Sequence, residues 1–150
     1  MTAVIEDALI GHLDRLCEIE TQCFRDEAFS KKQILQLLKE YNCVNLVARV
    51  DGIIAGFVIG MMYVDRNAMY AHVVTIDVSP TFRRKGIGQL LLQEIERIFR
   101  EKGVKASHLE VREDNVGAIN LYEKLGYEKM GKLKNYYGKA NGIYFKKVLS

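Results

Sequence analysis

Four features in this chain have side chains or spacing suited to chemistry. The turn Arg83-Arg84-Lys85-Gly86-Ile87-Gly88 lies between an apolar stretch and a helical pattern. A helix that opens on glycines presents unpaired N–H groups and the positive end of its dipole, and such a place attracts phosphate; the three cations beside it add to the pull. Glu110 interrupts the apolar pair Leu109 and Val111. A carboxylate among apolar neighbours is expected to have a raised pKa, which suits a general base. His72 precedes the turn and shares strand parity with Val74, Ile76 and Val78 rather than with Thr75 and Asp77, so it is expected to look toward the same cleft as Glu110. Tyr122 follows Asn115, a residue fit to open a helix.

Each feature also has a plainer reading. A Gly-x-Gly with basic neighbours is equally an ordinary helix-starting turn. Alone, Glu110 reads as a solvated strand face, Tyr122 as core packing and His72 as a satisfied structural histidine. A dinucleotide fingerprint would need a third glycine where Leu91 stands, and a P-loop would need Gly-Lys-Ser/Thr; both are missing.

These residues must be held by elements that the pattern predicts. The 150 residues suffice for one core and make a single domain over 1–150, with one proline and 49% hydrophobic residues arguing for order throughout. Ala3 to Ile5 reads as a strand, and Leu13, Leu16 and Cys17 begin a helix that runs to about Phe24. Ser30 with Gln33 forms a capping box for a second helix, whose face is expected to hold Ile34, Leu37, Leu38 and Tyr41. Asp51-Gly52 joins two antiparallel strands, Leu46 to Val50 and Ile53 to Tyr63. Met69 to Val78 is a further strand, closed by Ser79-Pro80. Ile87, Leu90, Leu91, Ile95, Ile98 and Phe99 share one helical face, with Lys102-Gly103 as the stop. Leu109 to Val111, a helix from Asn115 to near Gly126, and the strands Tyr127 to Tyr137 and Ile143 to Leu149 complete the order β-α-α-β-β-β-α-β-α-β-β. The fold class is α/β with a mixed sheet.

Composition excludes several classes. A net charge of +3, from 22 basic and 19 acidic residues, is too small and too scattered for a nucleic-acid face. No apolar run reaches the ~20 residues needed to cross a bilayer, so no membrane role is expected. Cys17, Cys23 and Cys43 form no Cys-x-x-Cys pair; they read as buried thiols in a reducing cytoplasm. His12, His72 and His108 have no ligand spacing with the cysteines, so no metal is implied.

The run Val73 to Gly88 resembles the acetyl-CoA motif Gln/Arg-x-x-Gly-x-Gly/Ala of the GNAT acetyltransferase superfamily. The likeness extends through Leu109-Glu110-Val111-Arg112, Asn115, Ala118, Leu121-Tyr122, Gly126-Tyr127 and Asn135-Tyr136-Tyr137, and is similar to the RimI-type and N-terminal protein (Ard1-like) acetyltransferase branch. It implies a single-domain GNAT-type fold, with a mostly antiparallel sheet, a splayed parallel strand pair and about four flanking helices. It implies acetyl-CoA as cosubstrate, with amides of Arg83, Arg84, Lys85, Gly86, Ile87 and Gly88 on the pyrophosphate, the backbone of Ile76, Asp77 and Val78 along the pantetheine, and Asn115 on its other side. Glu110 becomes the base, often acting through water, Tyr122 the acid for the departing thiolate, and His72 an assisting or water-holding residue. Tyr136 and Tyr137 would bind the acceptor backbone, and Phe24 or Phe29 its first side chain.

An α-amine of pKa ~7.8 costs ~1 kcal/mol to deprotonate at pH 7, against ~4.6 kcal/mol for a lysine at ~10.4, so a modest base favours protein or peptide N-termini as acceptors. A ribosome or auxiliary subunit is a further candidate partner by this likeness. Lysine or small-molecule amine acetylation, and CoA binding without turnover, stay open as alternatives. The loop Arg25 to Phe29 lacks the Leu-Pro-Glu-Asn-Tyr type sequence of the Ard1-like subgroup, so Glu27 receives no role, and Asn141-Gly142 departs from the Asp-Ala often found in RimI-like sequences.

Overall fold

The computed structural model describes residues 2–150. Seven strands form one sheet in the order β1-β2-β3-β4-β5-β7-β6, where β1 is Ala3–Asp7, β2 Cys43–Val50, β3 Ile53–Asp65, β4 Ala68–Val78, β5 Ala106–Arg112, β6 Glu128–Tyr137 and β7 Ala140–Val148. All neighbours are antiparallel except β4 and β5. Helices α1 (Leu13–Phe24), α2 (Lys31–Lys39), α3 (Ile87–Glu101) and α4 (Val116–Lys124) cover it, as the sequence pattern implied.

Helix α3 buries Ile87, Leu91, Leu92, Ile95 and Phe99 against one sheet face. At ~1.5–3 kcal/mol per fully buried large apolar side chain, this helix anchors the principal core. A Cβ on Gly60 would lie 2.5 Å from the Phe99 ring and 2.7 Å from Ile95, so only glycine lets α3 sit this close to β3. The register of this helix differs slightly from the expected face: Leu90 is 42% exposed, and Leu92 takes the buried place.

On the other face, α1 and α2 cover a second core of Leu13, Leu16, Ile19, Ile34, Val47, Phe57 and Ile59. That core draws on β2, β3 and β4 but on no residue of β5, β6 or β7, which leaves half of this face open. The capping box is present: Ser30 Oγ accepts from the Gln33 amide at 3.1 Å and the Gln33 side chain accepts from the Ser30 amide at 2.8 Å. Helix α2 stops at Lys39, however, and Glu40 is extended, so Tyr41 leaves the helical face and is 97% exposed. The three cysteines are free and half-buried rather than buried.

The feature that matters most for the site is a bulge in β4. Ile59 pairs with Thr75 but Gly60 pairs with Val73, so Val74 is an extra residue and the alternation of faces reverses there. Ala71 and Val73 lie in the α3-side core, and beyond the bulge Ile76 and Val78 pack there too. Thr75 turns to α1 instead, donating to Glu20 at 3.1 Å. His72 therefore shares its face with Thr75 and Asp77, not with Ile76 and Val78; strict alternation fails because one residue is added.

Candidate active site

Strands β4 and β5 pair only through Tyr70↔Ala106, Ala71↔Ser107 and His72↔His108. Past that point β4 continues to Val78 and β5 to Arg112 without partnering each other, so the two strands part and open a slot. The anion turn closes one end of it. Gly86 takes φ +79° as the residue before α3, a left-handed conformation open to glycine at little cost, and nothing lies within 4 Å of where its Cβ would be. The N–H groups of Arg84 to Gly88 donate to no backbone acceptor among the described residues, while Arg84, Lys85 and Gly86 are exposed. Free amides at a helix start are the donors that an anion takes. The Arg83 guanidinium is turned back, with Nε donating to the Val78 carbonyl at 3.2 Å and Nη2 lying 3.5 Å from Cys23 Sγ.

At the other end of the slot, His72 Nε2 lies 2.8 Å from Glu110 Oε1, so the two face one cleft as expected, though not through the parity invoked: His72 pairs with His108, which shares a strand face with Glu110. His108, which the sequence reading left without a role, completes a cluster. Its ring stacks on that of His72 at 4.7 Å with planes 8° apart, Nδ1 is 3.6 Å from Glu110 Oε2, and Nε2 is 2.7 Å from the Tyr63 hydroxyl. The exposed Tyr136 hydroxyl donates to Glu110 Oε1 at 3.4 Å.

The environment of Glu110 is not the apolar one inferred from its chain neighbours. Burial pushes its carboxyl up, but the facing imidazoles of His108, at 3.6 Å, and His72, hydrogen-bonded at 2.8 Å, outweigh burial and hold it down to about 2. Leu109 and Val111 point to the opposite face, into the core, so the expected raised pKa is replaced by a lowered one.

Tyr122 is buried in α4 beside Tyr127 and Phe145. Burial, then the nearby Asp77 and Tyr137, push its hydroxyl well up and keep it protonated. No described residue hydrogen-bonds that hydroxyl, which leaves its proton uncommitted. Asn115 caps α4, its Oδ1 accepting from the Ala118 amide at 3.2 Å.

The walls are tied by ion pairs. Glu27, between α1 and α2, pairs with Arg112 at the end of β5; Arg112 also holds Asp114 at 3.0 Å and lies 6.0 Å from the Tyr137 ring centre. Glu27 is thus engaged by a cation. Phe29 packs on the second core, and its amide donates to Glu20 Oε2 at 3.0 Å; Phe24 is half-buried. Glu20 in turn meets Thr75, whose hydroxyl oxygen also lies 2.6 Å from Asp77 Oδ1. Burial, then the Glu20 carboxylate, push the Asp77 carboxyl well up. Of these residues, only the His108–Glu110 alternation was readable in the chain, as two polar residues on one strand face.

Residues 13–127 match the Acetyltransferase (GNAT) family. The chain belongs to that family. It is 31% identical over 149 residues to the N-alpha-acetyltransferase of Sulfurisphaera tokodaii, across 93% of this chain and 89% of that one. It is 35% identical over 99 residues to the [ribosomal protein bS18]-alanine N-acetyltransferase of Salmonella typhimurium, across 66% of this chain and 64% of that one. Among solved structures, Ard1 from Thermoplasma volcanium superposes with a TM-score of 0.89 at 26% identity, covering 99% of this chain and 98% of that one. The expected splayed sheet and four helices are those of this family's fold.

Proposed function

We propose that this GNAT protein transfers acetyl from acetyl-CoA to the N-terminal α-amine of proteins or peptides. The observation that carries this reading is the position of Glu110, ionised and bracketed by two imidazoles, where β4 and β5 part opposite the free amides of the Gly86 turn. The names of the Sulfurisphaera and Salmonella relatives support an α-amine acceptor.

Bound acetyl-CoA supplies an acetyl thioester open to attack by an amine. The amides of Arg84 to Gly88 hold its diphosphate, Ile76 to Val78 line its arm with Asn115 opposite, and Arg83 steadies the turn through Val78. Glu110 accepts a hydrogen bond from the acceptor amine, directly or through water. With its own carboxyl near 2, Glu110 is a poor final resting place for the proton, which passes on through water to solvent. Tyr122, kept protonated by burial, donates to the departing thiolate. Tyr136 and Tyr137 present hydroxyls to the acceptor backbone, with Phe24 and Phe29 on the facing wall.

This division of labour suits an α-amine, whose deprotonation asks little of the base. Three free cysteines fit a reducing cytoplasm, and no helix among the described residues is long and apolar enough to cross a membrane. The test is mass spectrometry of acetyl-CoA reactions with peptides that vary in their first two residues, beside N-terminally blocked peptides bearing an internal lysine. Free N-termini are expected to be acetylated; product only on the blocked peptides would replace this reading by lysine acetylation, and no product on any peptide would leave a CoA-binding module.

A further inference from the structure

The cluster around Glu110 offers more ligand chemistry than acetyl transfer requires. We propose that His72, His108 and Glu110 form a capture site for a divalent transition cation, Zn2+ foremost, and that its occupancy switches the enzyme off.

The geometry is that of an assembled ligand set. One atom from each residue, an imidazole nitrogen from each histidine and a carboxylate oxygen from Glu110, lies within 4.8 Å of the others. Donors sharing a tetrahedral ion at ~2.0–2.1 Å stand about 3.3 Å apart. The separations here, 2.8 Å from His72 Nε2 and 3.6 Å from His108 Nδ1 to the two Glu110 oxygens, bracket that value. Two imidazoles with one carboxylate suit Zn2+, Co2+ or Ni2+ and do not suit Mg2+ or Ca2+, which prefer oxygen.

Two further observations point to a ligand. His108 Nδ1 is buried and has no hydrogen-bond partner among the described residues, although an orphaned nitrogen of this kind is costly. The Tyr63 hydroxyl, 2.7 Å from Nε2, is an outer partner of the kind that metal-bound histidines have: in the tautomer where it accepts from Nε2–H, the ring's lone pair lies on Nδ1. The histidines are also fixed in advance, because His72 and His108 are register partners and their rings stack. A polar cavity of about 220 Å3, lined by Tyr63, Asp65, Tyr70, His108, Tyr144 and Lys146, opens beside the cluster and gives an ion a way in.

A bound cation would occupy the Glu110 oxygen that accepts from the acceptor amine, and it would place a positive charge where a neutral amine must approach. The cation is therefore an inhibitor and not a cofactor. Binding follows from the ligand set alone; the inhibition rests on the acid–base reading of Glu110 given above.

Co2+ titration of the whole chain, stripped with EDTA and followed by its visible d–d bands, tests the capture site without any use of activity. One saturable Co2+ per chain, displaced by Zn2+, is expected. His108→Asn should abolish the bands, and Tyr63→Phe, which keeps every ligand, should loosen binding at least about tenfold. His12→Asn, at a histidine outside the cluster, should leave binding unchanged. No saturable signal, or a signal that survives His108→Asn, overturns the site. In the EDTA-treated protein, Zn2+ at saturation should suppress peptide acetylation and renewed EDTA should restore it; unchanged turnover at full Co2+ or Zn2+ occupancy overturns the switch. Should no peptide be acetylated even in EDTA, the α-amine reading fails, whereas the titration still decides the site.

Discussion

Past Val78 the proposed anion turn is one continuous stretch, whereas around Glu110 four strands each lend side chains: Tyr63 from β3, His72 from β4, His108 and Glu110 from β5, and Tyr136 from β6. The first site is made of backbone. Its capacity lies in amides left unpaired by the start of α3, and side chains matter there chiefly by their absence at Gly86 and Gly88. The second is made of side chains whose protonation depends on one another. Changes in the Glu110 cluster should therefore strike the chemical step, and changes in the turn should strike cofactor affinity.

The largest expected effect is in the cluster. Glu110→Gln should lower kcat about 10²–10³-fold, the span typical of a lost acid–base group, with the Kd for CoA nearly unchanged by calorimetry. A parallel loss of CoA binding would erase the contrast between the two regions. Tyr122→Phe should lower kcat about 10–10²-fold and shift Tm by no more than about 2 °C, since no described residue depends on that hydroxyl for a hydrogen bond.

Gly86→Ala sharpens the other side of the comparison. The added Cβ meets no atom within 4 Å, so the only penalty is the left-handed φ of +79°, about 1–2 kcal/mol for an alanine. The turn should relax to relieve it, weakening CoA about tenfold in calorimetry while kcat at saturation holds.

The smallest expected effect reads the electrostatics of the cluster directly. Glu110 is depressed from 4.5 to about 2 in the folded chain, so it stabilises the fold above pH 4.5, and that contribution is lost as pH falls from 4.5 through about 2. Urea midpoints measured across that window should fall more steeply in the wild type than in Glu110→Gln. A difference of about 1 kcal/mol is expected, because solvent reaches the cluster and screens it. Identical slopes would show that the imidazoles do not hold the carboxylate.

Much of the framework is legible in the sequence. Asp51-Gly52 forms its turn with φ +52° and +81°, the Ser30–Gln33 box caps α2, Asn115 caps α4, and the apolar period of α3 locates the principal core. Where the reading strayed, a non-local choice intervened. Tyr41 was placed on α2 because the apolar spacing continued, but Asn42 is claimed by β3, its side-chain amide donating to the Met62 carbonyl at 3.0 Å, and the helix yields to the strand. His72 was assigned a face by alternation, which the bulge at Val74 reverses.

What the sequence by itself determined is whatever depends on neighbours within a few residues: caps, turns, most of the amphipathic face of α3, and the glycine turn with its free amides, since a helix start and its glycines are contiguous. Only the tertiary structure decided the ionisation of Glu110, the partnership of His72 with His108 and the ties of Glu27 to Arg112 and Glu20 to Thr75. Those depend on the register of β4 on β5 and on which face each strand turns inward. A side chain's charge answers to whatever stands within a few ångströms, and 38 residues of chain separate Glu110 from the imidazole at 2.8 Å.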